Sequence, residues 1–377
     1  MAMDRQEHSA RARADKEARS SRGRTVFITG AAGYVGEMLC DQLAQRDDVA
    51  HLIGLDKEPQ SDFSKRIPKL TYLQHNLADP GWQERVAPHE PDVIIHTAWQ
   101  IRMLYGKSDV TWRWNVEGSQ AVYDFAHATP SVQKLLHFST ASSYAAKVDN
   151  TFAHAFTEDE GFRDDPYLYA HEKKAAEDRL AATVAAAREA GKRTPQVVVF
   201  RPAAITGPRG RYMRIRFGLQ SALSGNLSGG LMNRLVTLLT SWVPATAGWV
   251  RQFVHEDDVS DVVQYFTFHD APSTYEVYNL TPDSEPVYAP DMARAVGKRI
   301  LPIQPWMARI AFFFFWHTTR GKIPTAPHSW RFYSYPIIMS GTKLAAVHPC
   351  RYTSKEAFAH TSGRYEWAVP EDKRVPL

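Results

Sequence analysis

Residues Thr25–Leu39 read TVFITGAAGYVGEML, and this stretch decides which fold the sequence predicts. An apolar run of strand type passes directly into three glycines with the spacing G-x-x-G-x-x-G, which are Gly30, Gly33 and Gly36. Apolar residues then recur with the period of a helix. A strand, a glycine turn and a helix in this order indicate a dinucleotide site, although a purely structural turn would also suit the three glycines.

The chemistry of a phosphate site explains why glycine would be needed here. Without a Cβ atom at Gly30 and Gly33 the backbone can approach a pyrophosphate, and the helix N-terminus offers free N–H groups. A second strand pattern ends in Asp56, twenty residues past Gly36. A carboxylate there would accept bonds from ribose hydroxyls and repel a 2′-phosphate, so NAD is favoured over NADP. The neighbouring Lys57 weakens that preference.

Length and charge limit the function further. A chain of 377 residues predicts one large domain or two interlocked ones. The formal charge is +4, and residues 1–24 alone hold a surplus of three positive charges, so the rest of the chain is nearly neutral. A nucleic-acid-binding protein would carry a basic stripe on its fold, and we therefore expect no such partner. Only two cysteines occur, without metal-ligand spacing, and we expect a cytoplasmic protein with no metal site.

The order of apolar segments predicts an α/β fold with a parallel sheet covered by helices. Strands are predicted at Thr25–Thr29, His51–Leu55, Leu70–Gln74, Val93–His96, Lys134–Phe138 and Gln196–Phe200, and helices at Tyr34–Gln45, Asn115–Ala128 and Ala170–Ala190. Residues 1–23 lack large apolar side chains and predict a disordered tail. After Pro202 the alternation stops, which indicates a separate part that covers the substrate.

Tyr169 and Lys173 stand four residues apart in a helical pattern, so both lie on one face. An ammonium beside a phenol lowers the pKa of the phenol, and such a tyrosine can take a proton from a substrate hydroxyl. Tyr167 has His171 at the corresponding position and is the weaker candidate. Upstream, the hydroxyl-rich FSTASSYA follows a strand pattern, either as a helix cap or as a group that holds the substrate oxygen.

Together these segments resemble the extended short-chain dehydrogenases/reductases of the NAD-dependent epimerase/dehydratase group. The resemblance also rests on DVIIHTAW from Asp92, NVEGSQAVYDFA from Asn115, FRPAAITGP from Phe200 and RQFVHEDDV from Arg251. It implies a doubly wound Rossmann sheet with a small, mostly helical C-terminal part. The NAD-binding domain would comprise residues 24–201 and 252–282, and the substrate-binding part residues 202–251 and 283–377.

The resemblance also implies roles for individual residues. Thr140, Tyr169 and Lys173 would form the catalytic triad, and Arg251 would bind the diphosphate of a nucleotide sugar. The cofactor would contact Gly30, Gly33, Tyr34, Val35, Gly36, Asp56, Asn76, Leu77, Thr97, Ala98, Asn115, Tyr169, Lys173 and Pro202.

The sequence departs from the family pattern at informative positions. Trp99 replaces a small residue beside the expected nicotinamide site, and Ala145 replaces the glycine of a V-Y-G motif. Thr140 is followed by Ala-Ser rather than by the Asp-Glu pair of 4,6-dehydratases, which argues against dehydration. No cysteine lies in these segments, which argues against the Cys/His epimerase-reductases.

Two further stretches leave alternatives open. Arg209, Arg211, Arg214 and Arg216 form either a solvated loop or a grip on a phosphorylated substrate. The segment Pro305–Lys322 holds seven consecutive apolar residues, Ile310–Trp316. That run is too short to span a bilayer. It predicts a buried helix or dimer contact, and the alternatives are a lid for an apolar substrate or a peripheral membrane contact.

We expect an NAD-dependent epimerase or dehydrogenase acting at a secondary alcohol carbon of a small-molecule substrate, a nucleotide sugar, and forming a homodimer as family members do. A hydroxysteroid-like dehydrogenase for an apolar or lipid-linked alcohol is the alternative. The hypothesis from outside the enzymes is a structural or regulatory subunit that binds NAD.

Overall fold

The computed structural model describes residues 23–209, 242–295, 298–359 and 362–368. The described strands are β1 Arg24–Thr29, β2 Val49–Asp56, β3 Leu70–Gln74, β4 Val93–His96, β5 Lys134–Phe138, β6 Gln196–Pro202, β7 Ala204–Thr206, β8 Trp242–Ala245, β9 Val250–Arg251, β10 Phe253–His255, β11 Tyr275–Leu280, β12 Val287–Tyr288 and β13 Arg299–Pro302. The described helices are α1 Tyr34–Ala44, α2 Gln83–Val86, α3 Ser108–Trp112, α4 Gly118–Ala128, α5 Leu168–Glu189, α6 Glu256–Phe268, α7 Ala289–Ala295, α8 Pro305–Thr318, α9 Trp330–Ser334, α10 Thr342–Ala345 and α11 Ser354–Ala359.

A seven-stranded sheet forms the centre of the molecule, in the order β11-β6-β5-β4-β1-β2-β3. All its strand pairs are parallel, which confirms the predicted doubly wound Rossmann fold. Three predicted strands match the observed bounds, including β4 and β5. The edge strand β11 was not among the predicted strands, because its sequence YEVYNL mixes polar and apolar residues at a half-covered edge.

Side-chain alternation along the strands supplies the core on both faces of the sheet. In β1, Val26 and Ile28 pack on the face covered by α1 and α6, whereas Phe27 packs on the face covered by α4 and α5. Strands buried on both faces read as continuous apolar runs, which is why the sequence pattern revealed them.

The strand order reverses between β1 and β4, and this reversal positions the site. After β1 the chain continues to strands on one side of the sheet, and after β4 it continues to strands on the other side. A crevice therefore opens beyond the carboxyl ends of β1 and β4. The register places Thr29 opposite His96 at that edge. Residues that directly follow these strands therefore face one another.

The C-terminal part adds three two-stranded pairs and the short helices α7 to α11. β7 pairs with β10, β9 with β12, and β8 with β13. Among the described residues, no helix is both long enough and apolar enough to cross a membrane. Most of the predicted tail lies outside the described residues, as do Arg211, Arg214 and Arg216.

Candidate active site

A cavity of about 730 Å³ opens at the carboxyl ends of the parallel strands. Its lining begins at the glycine turn after β1 and extends to Arg251 and to α8 and α9 in the C-terminal part. All predicted cofactor residues line it except Lys173. This is the place where the topology of an open α/β sheet puts a ligand.

The glycine turn is fixed by close backbone packing. Gly30 has φ +74°, and a Cβ atom there would lie 2.7 Å from the backbone nitrogen of Ala98. A Cβ atom at Gly36 would lie 2.1 Å from the carbonyl oxygen of Gly30, so no side chain fits at either position. Gly33 stands at the N-cap of α1, where no side chain caps the helix. The first N–H groups of α1 therefore point toward the cavity end as potential anion donors.

Asp56 stands at the end of β2 and organises the adjoining turn. One carboxylate oxygen accepts the N–H of Ala32 at 3.0 Å, and the other accepts the N–H of Glu58 at 3.0 Å. Lys57 is held by Glu58, with 2.5 Å between the ammonium and the carboxylate. The positive charge of Lys57 beside Asp56 is thus neutralised by the carboxylate of Glu58, which strengthens the preference for NAD over a cofactor with a 2′-phosphate.

Asn115 serves the site mainly by fixing its walls. The side chain accepts the N–H of Gln100 at 2.7 Å and donates to the carboxylate of Glu172 at 2.7 Å. It lies in a π-helical stretch, Arg113–Glu117, between α3 and α4. The contact ties the loop after β4 to helix α5. Burial raises the pKa of Glu172, a residue that the sequence pattern had not singled out.

Thr140 and Tyr169 both line the cavity. Thr140 follows β5, where its hydroxyl accepts the N–H of Ser142 at 3.2 Å, and Tyr169 lies in the first turn of α5. Burial raises the pKa of Tyr169 above its ordinary value, while the neighbouring Thr140 side chain opposes that rise. The predicted lowering of this pKa by Lys173 is therefore not present in the structure.

Lys173 occupies a different environment from the one that the sequence predicted. Its ammonium donates to the carbonyl oxygen of Phe138 at 2.5 Å and lies 3.8 Å from the centre of the Trp99 ring. Burial lowers the pKa of Lys173 to about 7. The indole of Trp99 thus lies between the ammonium and the cavity. The indole N–H has no hydrogen-bond partner among the described residues.

Arg251 lies in the far wall of the cavity. Burial lowers its pKa to about 10, opposed by Tyr333 and Tyr167. No carboxylate pairs with this guanidinium within the described part of the chain. A desolvated cation without a carboxylate partner indicates a place for an anion.

Sequence reasoning undervalued the aromatic wall near Arg251. Tyr167, the weaker of the two tyrosine candidates, lines the cavity, with its ring 5.1 Å from that of Phe332. Phe312 and Tyr333 complete this wall, and their rings lie 5.8 Å apart. Their positions in α8 and α9 follow only from the folded C-terminal part. A local motif could not have found them.

Arg209 joins the turn after β7 to helix α1. Its guanidinium pairs with Glu37 of α1, and its backbone N–H donates to the carboxylate of Glu256 at 3.1 Å. Both side chains of the Arg209–Glu37 pair are largely buried. The prediction of a solvated loop is therefore wrong for this arginine, and the contact with a phosphorylated substrate stays a prediction.

The cavity meets the requirements of a dinucleotide. It has a glycine turn at a helix N-terminus, the carboxylates of Asp56 and Glu58 beyond it, and a volume in the range of small-molecule sites. Thr140 and Tyr169 belong to the same lining. The residues present therefore fit NAD.

Sequence relatives cover only part of this chain. An uncharacterized protein of Mycobacterium tuberculosis is 25% identical over 142 residues, which are 37% of this chain and 37% of that protein. An uncharacterized protein of Methanocaldococcus jannaschii is 24% identical over 170 residues, 41% of this chain and 50% of that protein. The chain thus spans about a third to a half of the length of these relatives.

Solved structures share the fold across most of both chains. WbmG of Bordetella bronchiseptica, in complex with NAD and UDP, has 17% identity and a TM-score of 0.64, covering 91% of this chain and 92% of that one. UDP-glucose 4-epimerase of Thermotoga maritima, with UDP-glucose, has 18% identity and a TM-score of 0.61, covering 89% and 97%. dTDP-glucose 4,6-dehydratase of Bacillus anthracis, in complex with NAD, has 16% identity and a TM-score of 0.64, covering 93% and 98%.

A family model covers the sheet and the site together. The model of the NAD dependent epimerase/dehydratase family matches residues 26–281, which extend from β1 to the end of β11. This span includes the glycine turn, the Thr140–Tyr169 pair, Lys173 and Arg251. The chain therefore belongs to the NAD dependent epimerase/dehydratase family.

Proposed function

We propose that this enzyme acts on a secondary alcohol carbon of a nucleotide sugar, by epimerisation or by net oxidation or reduction. The observation that carries the proposal is Arg251, a partly buried guanidinium in the cavity lining whose pKa is lowered by desolvation. A diphosphate matches a guanidinium in charge and in hydrogen-bond geometry. Proteins of the same fold that were solved with UDP or with UDP-glucose, and a dTDP-glucose 4,6-dehydratase, support this substrate class.

The Thr140–Tyr169 pair would handle the substrate oxygen. In its deprotonated form Tyr169 would take the proton from the reacting hydroxyl, and in its protonated form it would return a proton to the corresponding carbonyl oxygen. The Thr140 hydroxyl would bind the same substrate oxygen and orient it. Lys173 contributes a positive charge to this environment when it is protonated. Because its pKa is about 7, a substantial fraction of the enzyme carries a neutral lysine at neutral pH before ligands bind.

The opposite end of the cavity would hold the cofactor. We assign the pyrophosphate to the turn Gly30–Gly36 and the adenosine ribose to Asp56, with Asn76 and Leu77 near the adenine. Thr97, Ala98 and Pro202 would line the path to the nicotinamide. NAD, when bound, supplies a nicotinamide ring that accepts a hydride from the alcohol carbon or returns one.

The first test analyses the nucleotide that copurifies with the full chain by mass spectrometry and absorbance. NAD retained through dialysis would support an internal redox cycle and hence an epimerase. An empty protein that binds NAD reversibly would support a dehydrogenase. Failure to bind either NAD or NADP would contradict the assignment of the glycine turn.

The second test concerns Arg251 directly. Titration of the NAD-loaded enzyme with uridine and thymidine diphosphates should give binding that Arg251→Ala weakens at least about ten-fold, the usual loss for a charged hydrogen bond. Arg251→Lys should retain part of the affinity, because it keeps the charge. The exposed Arg85→Ala is the matched control. Equal affinity in wild type and Arg251→Ala would contradict the nucleotide-sugar proposal.

A specific observation also supports the second candidate, a hydroxysteroid-like dehydrogenase for an apolar or lipid-linked alcohol. Phe312, Phe332 and Ile337 line the same end of the cavity as Arg251. Their apolar surface suits a large apolar alcohol as well as a nucleoside base. Turnover of apolar secondary alcohols that is lost in Phe312→Ala and kept in Arg251→Ala would favour this candidate over the first.

A further inference from the structure

Helix α8 presents a large apolar face to solvent instead of burying it. Trp306, Ile310, Phe313 and Phe314 each expose 60% or more of their surface, and Met307 exposes 39%. The spacing of these residues, at i, i+4, i+7 and i+8 from Trp306, puts them on one side of the helix. Only Ala308 and Trp316 of this helix are fully buried. We call the five exposed residues the α8 face.

The opposite side of α8 anchors it to the cavity. Phe312 lines the cavity and contacts Tyr333, and Trp316 packs on Tyr105 with 5.5 Å between the ring centres. The hydroxyl of Tyr105 lies 3.0 Å from His317 Nδ1. The helix is therefore held in place through one side, and its large apolar residues on the other side have nothing within the described chain to cover them. An exposed apolar cluster of this kind marks an interaction surface.

The segment that contains the α8 face carries charge of one sign. Residues 292–355 contain ten Lys and Arg and no Asp or Glu. Arg309 lies on the helix itself, and Arg320 and Lys322 follow its end; all three are exposed. None of these three has an ion-pair partner among the described residues. The loop after Tyr105 adds exposed Lys107 and exposed Asp109, whose charges offset each other.

This charge pattern favours one kind of partner for the α8 face over another. A symmetric pair of identical chains joined through α8 would place Arg309, Arg320 and Lys322 against their own copies, which like charges oppose. An anionic bilayer surface matches both components, because tryptophan and phenylalanine insert at the interface and Lys and Arg attract anionic headgroups. A helix of 14 residues lies in the interface and does not cross it.

We propose that the α8 face is a peripheral membrane-binding surface that inserts into the interface of an anionic bilayer. The same helix lines the cavity with Phe312 on its other side, so binding of the α8 face to a bilayer would hold the cavity next to the membrane. The proposal does not depend on the identity of the substrate. It explains why an NAD-dependent enzyme leaves four large apolar side chains in water.

Cosedimentation of the full chain with vesicles tests the proposal. Vesicles of phosphatidylcholine with phosphatidylserine should bind the protein, pure phosphatidylcholine should bind it weakly, and added salt should reduce binding to the mixed vesicles. The triple variant Trp306→Ser, Ile310→Ser, Phe313→Ser should lose at least about ten-fold in binding, given the apolar area removed. Arg309→Glu with Lys322→Glu should lose binding without any apolar change.

Val148→Ser is the matched control, because Val148 is 78% exposed and lies outside α8. NAD binding of each variant shows that the fold is intact, so a failed variant is recognised independently of the vesicle result. No binding to mixed vesicles, or equal binding by wild type and the triple variant, would overturn the proposal. A wild-type dimer in gel filtration that the triple variant abolishes, without vesicle binding, would instead identify a second copy as the occupant.

Discussion

At the scale of single residues, Ala145 adopts a backbone that suits glycine. Its φ is +66° and its ψ is 128°, at the end of the turn Ala141–Tyr144 that follows Thr140. Left-handed backbone of this kind costs a residue with a Cβ atom about 1–3 kcal/mol. The family motif has glycine here, and this chain holds alanine, so the loop beside the proposed catalytic residues carries local strain.

We expect Ala145→Gly to raise the free energy of unfolding by about 1 kcal/mol. The relief of backbone strain exceeds the extra entropy that glycine gains in the unfolded chain. Urea unfolding of both proteins measures the difference. Ala146→Gly is the control, because Ala146 is equally buried, has no positive φ and should lose stability. Destabilisation of both variants alike would contradict the strain.

Lys173 gives the NAD-free protein a stability that depends on pH. Its pKa is about 7 in the folded protein, and its ordinary value is 10.5. Between these values the unfolded chain binds more protons, so stability rises with pH, by about 1.4 kcal/mol per pH unit for one group. Lys173→Met should flatten this rise between pH 7 and 9 and should lower turnover at least about 100-fold.

Denaturant unfolding at several pH values measures the flattening. Lys174→Met is the matched control, since Lys174 is the next residue of α5 and pairs with Asp178 on the surface. That variant should keep both the pH dependence and the turnover. A rise with pH that is the same in Lys173→Met and in wild type would show that the lysine is not desolvated in solution.

At the scale of elements, strand β6 and helix α5 are joined by a buried ion pair. Arg201 of β6 and Glu177 of α5 contact at 2.5 Å, with only 6% and 7% of their side chains exposed. Arg201 also donates to the hydroxyl of Tyr144 at 2.8 Å. The pair therefore links the helix that carries Tyr169 to the strand that ends at Pro202. It sets the spacing of two walls of the cavity.

We expect Glu177→Gln to lower the free energy of unfolding by about 3 kcal/mol, because it leaves the buried guanidinium without a counter-charge. Asp178→Asn on the same helix removes the exposed pair with Lys174 and should cost at most about 0.5 kcal/mol. Thermal and urea unfolding of the two variants give the comparison. Similar losses would contradict the structural importance of the buried pair.

At the scale of the whole molecule, one cavity connects two ends with different chemistry. Carboxylates of Asp56 and Glu58 lie at one end, and the guanidinium of Arg251 lies at the other. Charges of opposite sign at separate ends should select ligands independently. A change at one end therefore affects one ligand only.

We expect Asp56→Asn to reduce the ratio of NAD affinity to NADP affinity at least about ten-fold, because the substitution removes a negative charge that would repel the 2′-phosphate. This variant should bind a nucleoside diphosphate with unchanged affinity. Arg251→Ala should instead bind the nucleoside diphosphate more weakly and keep the preference for NAD over NADP. Calorimetric titration with each ligand measures both effects. Asp62→Asn, on an exposed side chain, is the control. An unchanged NADP affinity in Asp56→Asn would assign the selectivity to other residues.

Some predictions for the whole molecule remain predictions. They are the homodimer, the cytoplasmic location and the division into residues 24–201 with 252–282 and residues 202–251 with 283–377.

The sequence alone determined the Rossmann sheet, the glycine turn and which residues are the catalytic candidates, because these depend on the local periodicity and spacing of residues. Apolar runs such as β1 must be buried on both faces, and Gly30 must be glycine where the backbones touch. Only the tertiary structure decided which groups meet. Trp99 covers Lys173, Tyr167 joins the far wall, Arg209 pairs with Glu37, and α8 turns its apolar face outward. Each of these outcomes depends on contacts between segments distant in sequence, and local patterns carry no information about them.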